Sequence, residues 1–228
     1  MFIYDNAVLA EFSTIRAGLV HASGLANGPS PAELVAEYES EQRAVAERLA
    51  TAPIAELPSI SAWRRVFTRF GAKPTQYRSA AEALLRRLAK HGDIPSINVL
   101  VDIGNLVSIR YAMPVAVIDL AGITGVTTVQ FATGSEEFTD LGSSASVHPE
   151  PGEVIFADEA GRVSARRWCW RQSAQSATTD ATTEALFIVE GHHDAAAVDV
   201  KAAADDLTTL LGRYQRGCDV RPHLIAPR

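Results

Sequence analysis

SINVLVDIGNLVSIRYA, residues 96–112, decides the fold, because its β-branched residues suit a strand while its spacing suits a helix. Val and Ile favour a pleated, half-buried surface. The polar residues settle it for a helix. Asn98, Asp102, Asn105 and Ile109 fall at i, i+4, i+7 and i+11, one face of a helix, which leaves Val99, Val101, Ile103 and Leu106 for packing. Such a helix carries three polar side chains in line on an otherwise apolar rod. Buried, they must find partners, either by tying the helix to neighbouring loops or by facing a ligand.

Upstream, the chain punctuates itself as helices. Ser79-Ala80-Ala81-Glu82 has capping-box spacing and opens a helix that ends near Gly92. A basic helix covers about Ser59 to Phe70 and stops at Gly71. Ser30-Pro31-Ala32-Glu33 opens another, capped by Ser30 and running to about Thr51. Residues 2–22 read as one or two strands. Downstream of Pro114 the pattern changes to strands: PVAVIDL, TTVQFA, EEFTDL, EVIFAD and VSARRWCWRQ, with DEAG closing a hairpin. ALFIVE is the last strand expected, ending on Glu190, and Asp194 then caps an Ala-rich helix to about Tyr214. No repeat or composition break marks a boundary. One α+β domain over 1–228 is expected, with a mixed, largely antiparallel sheet flanked by helices.

The 228 residues are 47% hydrophobic, enough for a sizeable core. No run of 18 apolar residues is present, and the N-terminal MFIYDNAVLAEF lacks the basic start of a signal peptide. Cys169 and Cys218 form neither a disulfide framework nor zinc spacing. The expectation is a cytoplasmic, reduced protein without metal, cofactor or membrane partner. A net charge of −6 argues against a general nucleic-acid binder. Yet Arg64 to Lys90 holds eight basic residues against one acid, Glu82. That run is either a solvated helical face or a phosphate-contacting patch.

RRWCWRQS, 166–173, has three readings: a core strand, a nucleic-acid surface, or a pocket wall. As a strand it puts Trp168, Trp170 and Gln172 on one face, and Arg167, Cys169, Arg171 and Ser173 on the other. The tryptophans read as core before base-stacking platforms. Cys169 reads as packing before nucleophile, although Arg167 and Arg171 could lower its pKa. Adjacent His192 and His193 rarely share a metal. Glu190 is either a surface cap or a pocket carboxylate. No phosphate loop, dinucleotide fingerprint or nucleophile elbow is present.

Segments WRRVFTRFG (63–71), YRSAAEALLRR (77–87), IPSINVLVDIGNLVSI (94–109), PVAVIDL (114–120), GEVIFAD (152–158), RRWCWRQS (166–173) and ALFIVEG (185–191) together resemble the tRNA-editing domain of the phenylalanyl-tRNA synthetase beta subunit, especially its free-standing relatives. The order of VD-x-x-N before a Pro-x-x-x-x-Asp strand carries most of that resemblance, which spans 63–191. It implies a trans-editing aminoacyl-tRNA deacylase. Asn105 then matches a pocket asparagine, and Glu190 the glutamate that reads the misactivated side chain, a tyrosine hydroxyl in the synthetase. Ala116 stands where the family has a histidine, and Trp170, Arg171 and Gln172 where it has a glycine-rich loop, so the specificity differs.

On this reading Asn105 and Ser108 position water or the ester carbonyl. The substrate-binding set is Glu190, Arg171, Gln172, Ser173, Asp102, Asn98 and Ala116, with Asp102 and Asn98 supporting the helix and Arg171 as counter-charge to Glu190. Arg64, Arg65, Arg69, Lys73 and Arg78 hold the backbone of a mischarged tRNA. The amino acid carries a polar or cationic side chain. The rivals are a non-catalytic module that binds tRNA or an amino acid, and a small-molecule amino-acid esterase or amidase.

Overall fold

A computed structural model describes residues 1–225. In chain order the elements are β1 (Phe2–Tyr4), α1 (Asn6–Glu11), β2 (Arg16–Ser23), α2 (Ala32–Leu49), α3 (Pro58–Arg69), α4 (Ala80–His91), α5 (Val99–Tyr111), β3 (Val115–Asp119), β4 (Thr127–Phe131), β5 (Phe138–Thr139), β6 (Ser146–Val147), β7 (Val154–Ala157), β8 (Val163–Arg166), β9 (Arg171–Gln172), β10 (Glu184–Gly191), α6 (Ala196–Tyr214) and β11 (Asp219–Ile225). The stretch that decides the fold is helical, as its spacing requires. Asn98 caps α5, its Oδ1 accepting from Val101 N at 3.0 Å. Ser79 caps α4 and Gly92 ends it in the left-handed conformation.

Two sheets organise the chain. β11-β2-β10-β3 is antiparallel throughout, while β1-β4-β7-β8-β9 is antiparallel except for the parallel β1–β4 pair. The fold is therefore α+β with mixed, largely antiparallel sheets. β10 is central in the first sheet, and its side chains alternate between two cores. Ala185, Phe187 and Val189 join the core under α2, α5 and α6, whereas Leu186 and Ile188 join an aromatic core with Phe2, Tyr4, Trp63 and Trp168. β3 alternates likewise, with Val117 in the first core and Ile118 in the second. Glu190 falls in step with Leu186 and Ile188, on the aromatic side.

Asp102 anchors α5. Its side chain is fully buried, and Oδ2 accepts from the hydroxyls of Ser30, at 2.6 Å, and Ser96, while Oδ1 accepts from Ile97 N at 2.9 Å. The polar line on the helix thus ties it to loops. Ser30 is not the cap: Pro31 holds the N-cap position of α2 with no side-chain cap bond, and the Ser30 hydroxyl donates to Asp102. Asp194 is not a cap either, since α6 begins after Ala195 with no side-chain cap bond. Helix α1 lies within the segment expected to be strand. β11 follows the expected last strand, pairing with β2 along the sheet edge.

α5 lies close against β3 because Gly104 has no side chain. A Cβ there would stand 2.7 Å from Val117 Cγ2. Gly104→Ala should cost about 1–3 kcal/mol through overpacking, and Val117→Ala in the same chain should recover part of that loss. Urea unfolding of the four-member cycle checks both.

Candidate active site

The stretch RRWCWRQS is not a strand. β8 ends at Arg166, the chain reverses, and β9 returns with Ala165 opposite Gln172 and Arg166 opposite Arg171. The reversal uses two left-handed residues that are not glycine, Arg167 at φ 43° and Trp168 at φ 61°. Each costs about 1–2 kcal/mol. The turn drives the Trp168 indole inward, where it is fully buried, while Trp168 N donates to Val154 O at 2.6 Å. The expected alternation of faces fails: Trp168 is core, whereas Trp170 is half-buried and packs edge-on against Tyr77 at 5.0 Å.

Trp168 Nε1 donates to Glu190 Oε1 at 2.8 Å, and the Tyr4 hydroxyl donates to the same oxygen at 2.5 Å. Among the described residues, both bonds to the carboxyl fall on Oε1 and none on Oε2. Trp63 Nε1 donates to the Glu190 carbonyl at 3.4 Å, which fixes the backbone beneath the side chain. Burial raises the Glu190 carboxyl from 4.5 to about 7, against the two donors, which favour its charged form. Burial and then the neighbouring Glu190 also push the Tyr4 phenol and the Cys169 thiol well above their usual ranges. Cys169 is therefore a thiol, and no arginine activates it.

Glu190 lines a small cavity of about 70 Å³, with Ala116, Trp168, Cys169, Trp170, Arg171 and Gln172 among its walls. Four residues of the expected substrate set, Glu190, Ala116, Arg171 and Gln172, thus meet in one place. Their contacts differ from expectation. Arg171 pairs with Asp140 and covers the Trp170 ring, so it is not the counter-charge of Glu190. Gln172 Nε2 donates to Val117 O at 2.6 Å and Ser176 O at 2.9 Å, joining β9 to the edge of β3. Ser173 is fully buried, and its hydroxyl is taken by Thr139 O and Gln175 N.

Asn105 and Ser108 do not reach this cavity. They sit on α5, which packs on the face of β3 and β10 opposite Glu190. Asn105 lies beside the Tyr38 hydroxyl on α2, and Ser108 Oγ donates to Met113 O at 2.7 Å. Asn98 and Asp102 belong to the same far side. Beside the cavity, the edge strand β3 offers backbone groups instead. Pro114 O accepts from Glu190 N and Val117 O from Gln172, so the N–H of Val115 is directed away from β10. Val115 also lines the cavity.

The rim is basic. Arg64 and Arg86 bind Glu82 at 2.7 and 2.8 Å, with Arg78 at 3.9 Å. Arg166 and Arg167 share Glu153, and Arg167 also lies over Tyr77 at 4.0 Å and Trp170 at 4.9 Å. Glu82 and Glu153 are thus each outnumbered by their arginines. Arg65 bonds Ser61, Arg69 pairs with Glu11, and Lys73 is exposed.

Behind Glu190, His192 is wedged edge-on between Trp63 and Trp168, at 4.6 and 5.1 Å, with Nδ1 at 3.0 Å from Thr14 Oγ1. Burial lowers it from 6.5 to about 3, so it is a neutral core histidine. His193 pairs with Asp199. Among the described residues no group of His, Cys, Asp and Glu converges to hold a metal, and no helix is long and apolar enough to cross a membrane.

Fold and site together define an α+β domain that encloses a near-neutral carboxyl in an aromatic cage beneath a basic rim. The B3/4 domain matches residues 62–226, and the chain belongs to that family. Among solved structures it is similar to an N-terminal fragment of the phenylalanyl-tRNA synthetase beta subunit from Pyrococcus horikoshii, at 12% identity and a TM-score of 0.49, over 97% of this chain and 50% of that one. The chain spans about half the length of that structure. None of the curated proteins matches it.

Glu190 and His192 act oppositely on stability. A carboxyl raised from 4.5 to about 7 contributes stability fully below pH 4.5 and loses it as pH rises to 7, by about 3 kcal/mol. The depressed His192 contributes above pH 6.5 and loses that contribution as pH falls toward 3. Glu190→Gln removes only the first effect. Its melting temperature relative to wild type should rise steadily between pH 4.5 and 7 and level off above, as read by thermal melts across that range.

Proposed function

We propose that this chain is an aminoacyl-tRNA deacylase that hydrolyses mischarged tRNA with a positioned water. The observation that carries the reading is Glu190, a carboxyl poised near neutral pH with one uncommitted oxygen on a small cavity. Such a group exchanges protons and hydrogen bonds with a small polar ligand at physiological pH. An aminoacyl ester is already activated, so a held water and a donor to the developing oxyanion suffice. The absence of a covalent route fits the walls: the cavity thiol, Cys169, is held protonated by burial. Asn105 and Ser108 drop out as positioners, being on the far face. The Val115 N–H, on the free edge of β3, takes the place of an oxyanion donor. On this reading the segment before residue 62 belongs to the same unit as the rest, because β1 supplies Tyr4 as a partner of Glu190.

The tRNA partner is supported by the rim. Arginines in excess of their acids, interleaved with Tyr77 and Trp170, suit phosphates and unstacked bases at a single-stranded end. Arg65, Lys73 and Arg78 continue that surface. Arg64 is engaged mainly by Glu82, so it contributes more to the fold than to RNA.

A deacylation screen over tRNAs charged with correct and incorrect amino acids tests the activity, with free amino-acid esters as control. Cleavage confined to particular charged tRNAs is expected, with Cys169→Ala retaining most of the rate. Retention of charged tRNA without cleavage would make the chain a binding module, and equal cleavage of tRNA-free esters a small-molecule esterase. Changing Arg65, Lys73 and Arg171 to Ala should flatten the log–log salt dependence of tRNA binding by about 0.7–0.9 per lost phosphate contact. A filter-binding salt series measures that slope.

A further inference from the structure

β1 lies outside the segment matched to the family, yet it reaches the heart of the site. Its alternation buries Phe2 and Tyr4 and exposes Ile3. The Phe2 ring meets Tyr4 edge-on at 5.5 Å and Phe156 at 5.2 Å, so the phenol is held by packing before it makes any hydrogen bond. Its hydroxyl and the Trp168 indole then fill Glu190 Oε1. On its other side Tyr4 lines a wider groove of about 530 Å³, so its ring is the partition between that groove and the carboxyl.

We infer that Tyr4 is a positioning residue that sets what the cavity selects: together with the Trp168 indole it fills both acceptor sites of Oε1, where the indole alone would leave one open, so that a ligand meets Oε2, and the cavity thereby selects a small neutral side chain bearing one hydroxyl. The inference rests on the deacylase reading and narrows it. A guanidinium needs both oxygens of a carboxylate for its paired bonds, and one is taken. Any cationic side chain also meets Arg171 on the same cavity wall. Tyr4 stands behind Glu190, outside the cavity walls, so a phenolic side chain would need the space its ring fills. An aliphatic side chain enters but leaves Oε2 unpaired and dry, the arrangement that rejects analogues lacking a hydroxyl.

The test has an arm that needs no activity. Because the Trp168 N–H donates to Glu190, tryptophan emission should titrate with the carboxyl, with a midpoint near pH 7 in wild type and no transition in Glu190→Gln. Tyr4→Phe, which keeps the ring, removes a donor to the charged form and should move the midpoint upward. An unmoved midpoint overturns the inference.

The second arm reads selection. Wild type should cleave seryl or threonyl esters on tRNA faster than alanyl, valyl or lysyl esters, and Tyr4→Phe should reduce the seryl-over-alanyl preference by roughly tenfold. Tyr4→Ala should gain activity on a tyrosyl ester, with p-cresol competing for the opened space. Equal slowing of every ester by Tyr4→Phe would leave Tyr4 a merely structural residue and overturn the inference. If no variant cleaves any ester, the deacylase reading fails. The selection is then read from binding of non-hydrolysable 3′-serylamino- and 3′-alanylamino-3′-deoxyadenosine. A seryl preference that Tyr4→Phe abolishes supports the inference, and equal affinities in wild type overturn it.

Discussion

The period-two alternation of β10 is the constraint on which the rest of the structure depends. One strand has to satisfy two cores at once, with Phe187 and Val189 serving the helical side and Leu186 and Ile188 the aromatic side. A carboxyl two positions beyond Ile188 is thereby committed to the aromatic side, whatever its own solvation would prefer. Shifting the strand by one residue would exchange the two sets and turn Glu190 toward Val200 and Ala204 of α6. Pairing with β2 along its full length and with β3 over five residues holds the register.

Around that carboxyl the protein uses aromatic N–H and O–H donors in preference to a cation. Indole and phenol donate one hydrogen bond each and bring large apolar surfaces. They allow Glu190 to be buried without an opposite charge, at the cost of a proton affinity shifted to the neutral range. A salt bridge at the same place would have kept the group ionised and chemically inert at that pH. The strained turn at Arg167 and Trp168 belongs to this arrangement, because it is the turn that aims the indole at Glu190. Left-handed backbone at two adjacent non-glycine residues is tolerated where burial of a large ring offsets it.

What could be read from the sequence was what local chemistry determines. The helix over 99–111 followed from the spacing of Asn98, Asp102 and Asn105, the cap at Ser79 from its capping box, and the hairpin at Asp158 from DEAG, where Asp158 Oδ1 accepts from Ala160 N and Arg162 N. Long-range competition overrode the local signal elsewhere. Ser30 has the right spacing for a cap, but the helix begins one residue later, with Pro31 at the cap position, and the Ser30 hydroxyl points to the buried Asp102. RRWCWRQS has no Gly, Asn or Pro to announce a turn, and its reversal is stabilised by contacts far along the chain. β11 was hidden because an exposed edge strand carrying Pro222 shows little apolar alternation. For the site, periodicity could put Asn105 and Asp102 on one helical face but not say which side of a sheet that face would meet. Glu190, Ala116, Arg171 and Gln172 were legible as a group. Tyr4 was not, since nothing near it in the chain marks a phenol as the partner of an acid.

The bond between Tyr4 and Glu190 joins positions 186 apart in the chain. Contacts of such separation form late, after nearer pairings have reduced the entropy of closing the intervening loop. β1 acts on the carboxyl in two opposed ways: its phenol favours the charged form, while Phe2 and Tyr4 complete the burial that disfavours it, and burial is the larger effect. The electrostatics of the pocket thus depend on a strand drawn from the far end of the chain, and a change confined to residues 2–4 reaches the carboxyl directly.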